Sequence, residues 1–220
     1  MSTLANRRKS QVWTLIGIMI LFIAGTVVLA EGNWKKEKST RDGITVYSRT
    51  QPGTTVREVR ARLTIDAAPQ TVLEAACDPE TFKETTGKYV KQNKMYKGET
   101  ENIWFNYQLV DFPVVAQRDY CLRYQKIMDA ENGIFRLKWS VSNRYIPPPL
   151  NDVVRVSTVN GVIDIKPVDD GRRSVMRYTL LADPGGNIPT WIINLANRTS
   201  LPNILREIRD ASLRRAKSAQ

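Results

Sequence analysis

Between Glu58 and Ile65 the chain alternates. Val59, Ala61, Leu63 and Ile65 fall on one side of an extended backbone, and Glu58, Arg60, Arg62 and Thr64 on the other. Successive side chains of a strand point to opposite faces, so this run predicts a strand with one dry and one wet face. An earlier β-rich run, "GITVYSRT" (43–50), follows the turn pair Asp42-Gly43. After Ile65 the spacing changes: Val72, Leu73, Ala75 and Ala76 form a helical stripe that ends near Asp78-Pro79. Asp66 is its expected N-cap, and Pro69 lies near the first turn.

Extended patterns then return. "KYVKQNKMYKG" (88–98), "NIWFNYQLVDFP" (102–113), "RDYCLRYQKIMD" (118–129), "GIFRLKWSVS" (133–142), "VVRVSTVNGVIDIKPV" (153–168) and "SVMRYTLLADP" (174–184) all read as strands. Gly133, Asn160-Gly161 and Asp170-Gly171 are the expected turns between them. From Pro189 to about Arg215 the period becomes helical, with Ile192, Leu195, Ala196, Leu201, Ile204, Leu205 and Ile208 on its apolar positions. Pro202 inside that helix predicts a bend. A long run of strands flanked by a short and a long helix predicts one antiparallel α+β domain with the helix packed on one face of the sheet.

The first thirty residues follow another pattern. Arg7, Arg8 and Lys9 precede the uncharged stretch from Val12 to Ala30, and Glu31 restores polar composition. This is the form of a secretory signal peptide cleaved near Ala30, which makes the protein periplasmic or secreted. The alternative is an uncleaved N-terminal transmembrane helix that tethers the domain, since the stretch approaches the roughly 20 residues a span needs. The expected organisation is a leader over 1–30, one domain over 31–216 and a short tail over 217–220.

The chain carries 33 Lys+Arg against 22 Asp+Glu; three of the basic residues and none of the acidic ones fall in the leader, leaving +8 beyond it. Such a surplus favours anionic surfaces, and export selects lipid headgroups over nucleic acid. Histidine is absent, which removes the commonest general base and transition-metal ligand. There is no paired-cysteine metal spacing, glycine-rich phosphate loop or nucleophile elbow, and no catalytic residue, metal or cofactor is expected. Cys77 and Cys121 sit in apolar contexts that suit buried free thiols as well as a disulfide.

Four segments carry a family resemblance: "GITVYSRTQPGTTVREVRARLTID" (43–66), "FPVVAQRDYCLRY" (112–124), "VNGVIDIKPV" (159–168) and "LADPGGNIPTWIIN" (181–194). In this order they resemble the START family of lipid-transfer domains over roughly residues 34–216. The most specific pieces are Arg118-Asp119-Tyr120 in a strand and Asp183-Pro184-Gly185-Gly186 before Ile188, Pro189 and Trp191. The resemblance implies a helix-grip fold, in which a curved antiparallel sheet wraps a long C-terminal helix around an apolar tunnel. It also implies binding of one lipid and its transfer, with transient contact to a membrane surface. The alternative within the wider superfamily is an enzyme, cyclase- or hydrolase-like, acting on an apolar substrate.

Alternation alone leaves open whether the dry-face residues fill a core or line a tunnel; the resemblance favours lining. The expected lipid-binding residues are Val59, Ala61, Leu63, Trp104, Tyr107, Tyr120, Leu122, Tyr124 and Trp139 on strands. Trp191, Ile192 and Leu195 are expected on the inner face of the closing helix. Arg118, Asp119 and Arg123 are the headgroup candidates. Sterol-binding relatives place an arginine six residues after the first Arg of the "RD" motif. Tyr124 stands there, while Arg123, one residue earlier, faces the other way.

Overall fold

The computed structural model describes residues 33–113 and 115–218. The expected leader and the last two residues of the tail lie outside the described residues. Ten strands form one sheet: β1 (Lys35–Ser39), β2 (Thr45–Arg49), β3 (Glu58–Ile65), β4 (Val90–Lys97), β5 (Ile103–Val110), β6 (Gln117–Asp129), β7 (Ile134–Val141), β8 (Val153–Arg155), β9 (Thr158–Val168) and β10 (Arg173–Asp183). They lie in the order β1-β2-β3-β10-β9-β7-β6-β5-β4, with β8 pairing β6. Every pair is antiparallel except β6–β8, a short parallel pairing that the expected all-antiparallel sheet did not contain.

The alternation of β3 holds in space: Val59, Ala61, Leu63 and Ile65 are buried, whereas Arg62 and Thr64 are exposed. After β3 the chain crosses the sheet through α1 (Pro69–Cys77) and two single 3-10 turns, Pro79–Phe82 and Gly87–Tyr89, before entering the far edge as β4. Pro69 opens α1 at its first turn, but Ala68 is the N-cap and contributes no side-chain hydrogen bond. Asp66 instead pairs with Arg173 at 2.6 Å.

The C-terminal helix α2 (Thr190–Ser218) lies with α1 on one face of the sheet. Its second half is anchored by burial: Leu201, Leu205 and Ile208 are fully buried and join the core formed by β2, β3, β7, β9, β10 and α1. Fully burying one such side chain is worth about 1.5–3 kcal/mol. The first three turns bury only Ile193.

One sequence expectation fails for a reason of register. Asn160-Gly161 is not a turn. Both residues lie within β9, with Gly161 directly opposite Trp139 and Asn160 opposite Ser140. Gly133 and Gly171 do make turns, at φ of +63° and +80°. Cys77 and Cys121 are both free. Cys77 packs against the core beneath the helices, and Cys121 belongs to a second cluster on the other face with Phe105 and Tyr107.

Candidate functional site

Between the sheet, α1 and the second half of α2 lies a cavity of about 440 Å³. Cross-strand partners share a face, so the pairs Trp104–Tyr124, Asn106–Leu122 and Gln108–Tyr120 all point toward the helices. Tyr120, Leu122 and Tyr124 from β6, Leu137 and Trp139 from β7, Ile163 from β9 and Tyr178 from β10 form the lining on the sheet side. Ala76 and Ile204 cover it from the helices. The connection from Pro79 to Val90 supplies the rim, where Glu80, Lys83 and Thr86 are exposed.

The inner wall is aromatic. Trp104 stacks on Tyr124 at 5.3 Å between centroids, Tyr124 on Trp139 at 6.0 Å, and Trp139 meets Tyr178 edge-on at 5.2 Å. Room for the indole of Trp139 comes from Gly161: a Cβ there would lie 2.0 Å from the ring. The Tyr120 hydroxyl donates to Gln108 Oε1 at 2.8 Å. Burial pushes its pKa up to about 12 and raises those of Tyr124 and Tyr178 further. All three phenols are therefore neutral at physiological pH, each able to donate one hydrogen bond.

Of the expected lining residues, Tyr120, Leu122, Tyr124 and Trp139 face the cavity, and Trp104 stacks behind Tyr124. Val59, Ala61 and Leu63 belong to the closed core and not to the lining. Tyr107 lies on the opposite face of β5 from Trp104, in the cluster with Phe105 and Cys121, because residues three apart on a strand face opposite ways. Trp191, Ile192 and Leu195 are also not on the inner face. They stand 68%, 39% and 42% exposed at the start of α2, while Ile193 is the residue that turns inward.

The headgroup candidates separate. Asp119 faces the open side of the sheet, 1% exposed, and is held by Arg155 through hydrogen bonds of 3.1 and 2.6 Å. Arg123 is on that same open side, in a shallow groove with Gln125, Lys138, Ser140 and Thr179, and does not reach the cavity. Arg118 shares the helix-covered face with Tyr120 but lies outside the cavity lining. It is buried, donates to the Ala116 carbonyl, and approaches Gly186 in the loop before α2.

Sequence reasoning missed Tyr178, Gln108, Leu137, Ile163 and the rim. The signal for Tyr178 was present: Met176, Tyr178 and Leu180 alternate along "SVMRYTLLADP" as cleanly as the residues of β3 do.

The model of the START domain matches residues 26–218. The chain belongs to the START family. The human phosphatidylcholine transfer protein is 26% identical over 186 residues, covering 82% of this chain and 84% of the relative. An uncharacterised protein of Pseudomonas aeruginosa is 26% identical over 209 residues, covering 92% and 96%. Among solved structures, the STAR-related lipid transfer protein of Xanthomonas axonopodis superposes with a TM-score of 0.69 at 24% identity, covering 82% of this chain and 99% of that one. Human StAR-related lipid transfer protein 5 reaches a TM-score of 0.67 at 12% identity, covering 94% and 96%. This START domain has the family's long C-terminal helix on a large antiparallel sheet, and it is a lipid-binding and lipid-transfer domain.

Proposed function

We propose that this START domain carries a phosphatidylcholine-type phospholipid outside the cytoplasm and exchanges it at membrane surfaces. The observation that carries this reading is the cavity: an aromatic and aliphatic interior of about 440 Å³ whose charged lining residues, Glu80 and Lys83, stand at its rim. Acyl chain gains about 0.8 kcal/mol per buried methylene in such a space, while at the entrance Glu80 and Lys83, which pair with each other, offer one acid and one base that a zwitterionic headgroup can engage by exchanging that exposed pair. The named function of the human relative supports the same lipid class.

The cavity is read as a carrier site, not a catalytic one. Its one lining carboxylate, Glu80, is exposed, and the chain has no histidine, so no activated acid or base faces the interior. Membrane contact is assigned to the apolar patch of Trp191, Ile192 and Leu195, because an exposed Trp beside aliphatic side chains suits the boundary between headgroups and acyl chains. The surplus of positive charge favours anionic bilayers. Delivery outside the cytoplasm is assigned to the leader over residues 1–30. Among the described residues no helix is long and apolar enough to cross a membrane.

The test is direct. Protein purified without denaturation is extracted with organic solvent and the extract identified by mass spectrometry, and transfer of labelled phosphatidylcholine between vesicle populations is followed. Co-purified phospholipid and protein-dependent transfer are expected; an empty protein that moves no lipid refutes the proposal.

A further inference from the structure

Arg118 is a buried cation that forms no ion pair among the described residues. It stands 4% exposed at the start of β6. Its Nη1 donates to the Ala116 carbonyl. Nε is sealed from solvent without a partner, and Nη2 has none among the described residues. Asp119, next along the strand, faces the other side and is committed to Arg155. Asp183 gives one oxygen to the Gly185 amide at 2.9 Å and enters no ion pair among the described residues. Burial lowers the Arg118 pKa, with no carboxylate to oppose the shift. A guanidinium does not shed its proton in a protein, so a lone one keeps both its charge and the cost of desolvating it.

The two free nitrogens belong together. Nε and Nη2 form one edge of the planar guanidinium, the edge that receives two oxygens of a single anion side by side. Nη2 lies against the turn before α2, where a Cβ on Gly186 would stand 3.6 Å from it. Gly185 and Gly186 take φ of +66° and +71°, and Gly186 is exposed. At Gly186, therefore, no side chain stands between this nitrogen and the surface. The same turn leads within five residues to the exposed Trp191.

We infer that Arg118 is a phosphate site beside the docking patch, which takes the phosphodiester of a lipid in the bilayer surface and not of the cargo. Nη2 meets the first oxygen at Gly186, and Nε meets the second as the two-glycine turn draws back. Free phosphate has the same chemistry; the place of the site, on the turn that carries the apolar patch, selects the bilayer as the source. The inference rests on the membrane contact assigned above to Trp191, Ile192 and Leu195, and gives that contact a polar anchor.

The test sets a bilayer with phosphate against one without. The full-length protein is sedimented with vesicles of phosphatidylcholine and with vesicles of digalactosyldiacylglycerol, a bilayer lipid that has no phosphate. The wild type is expected to bind the first at least about tenfold more tightly, the scale of one charge-assisted hydrogen bond. R118M should bind both as the wild type binds the galactolipid. Its melting temperature should not fall below wild type, because a lone buried charge has been removed. R118K keeps the charge without the fork and should lose most of the preference; it decides the case if R118M does not fold. A wild type that is stabilised by inorganic phosphate over chloride of equal ionic strength, yet binds both vesicles equally, assigns the site to a free anion and overturns the bilayer source. Equal binding with no response to phosphate overturns the site and leaves the membrane contact standing, as does a preference that survives in both variants. Binding to neither vesicle overturns both.

Discussion

Trp139 lies across its strand partner Gly161 so closely that a single added methyl carbon would sit 2.0 Å from the indole Cζ2. The wall of the cavity therefore depends on the absence of a side chain on the neighbouring strand. G161A has to displace the ring or part β7 from β9. The expected loss is about 1–3 kcal/mol of stability, the range for overpacking a core, together with a changed tryptophan emission. Chemical denaturation and fluorescence of the variant check both; unaltered stability would mean that the ring has somewhere else to go.

Asp119 is the most deeply buried carboxylate of the described residues, and Arg155 meets it with two hydrogen bonds. Removing one partner of a buried pair leaves the other charge uncompensated, which costs about 3–5 kcal/mol. R155M is therefore expected to destabilise strongly. The double variant D119L/R155M should recover much of that loss, because no charge remains stranded. A double-mutant cycle by urea denaturation measures the coupling. Independent, additive effects would count against the pair as a structural unit.

Asp42, in the turn between β1 and β2, accepts hydrogen bonds from Arg206 at 2.9 and 3.1 Å, and from Arg209 at 3.1 Å, both on α2. Arg206 foremost, with Thr40 and Arg209, holds its carboxyl well below the usual carboxylate range. A depressed folded-state pKa contributes stability that is present above the unfolded value, near 3.9, and lost as pH falls through the folded value. D42N should thus cost about 1 kcal/mol at pH 7, as expected for a solvent-accessible network, and its deficit against wild type should shrink steadily below about pH 4. Melting temperatures across that range decide it; a deficit independent of pH would assign the effect to packing.

Burial pushes the Cys77 thiol up to about 11. At pH 8 roughly one molecule in a thousand then carries the reactive thiolate. Alkylation by iodoacetamide should run far more slowly than on a free peptide cysteine. Mild oxidants should leave the chain without an internal disulfide, as non-reducing peptide mapping would show.

W191D combined with I192S changes one side chain that is 68% exposed and one that is 39% exposed, so stability should stay within about 1 kcal/mol of wild type. Binding to vesicles should fall at least about tenfold if these residues dock at the bilayer. Sedimentation with vesicles measures this. Loss of fold with loss of binding would return both residues to a structural role.

Most strands, as a succession along the chain, and both helices were legible because β3 and the second half of α2 obey one period each, with polar residues on every alternate or outward position; the order of the strands in the sheet was not, and β1 was missed. Where both faces of an element are apolar, the pattern carries no side. "IWFNYQLV" is such a run: Phe105 and Tyr107 pack on one face, and Trp104 stacks on the other. Spacing alone makes Trp104 and Tyr107 diverge; only pairing with β6 shows that Trp104 is the one on the helix-covered face. Trp191, Ile192 and Ile193 surround the start of α2 likewise, and which of them turns inward depends on how the helix is seated. Asn160-Gly161 has the composition of a hairpin turn, but its use was set by a residue on another strand, the indole of Trp139, to which local sequence is blind.

Considered mechanically, α2 is a beam clamped at one end. Leu201, Leu205 and Ile208 are embedded in the core, and pulling them out forfeits their whole transfer energy. The leading end is tied mainly by polar links that water can replace at small net cost: Asn194 to the Arg57 amide, Asn197 to the Ala182 carbonyl and Arg198 to Glu37. Pro202, with no N–H to give to the Arg198 carbonyl, sets a weak joint where the two regimes meet. Deflection is therefore cheapest at the tip that carries Trp191, about 24 Å along the axis from the clamped turn of Glu207, which is bonded to Thr85 at the rim. The half of α2 that covers the cavity at Ile204 is thus the half that holds still, and the half that yields is the one that carries Trp191.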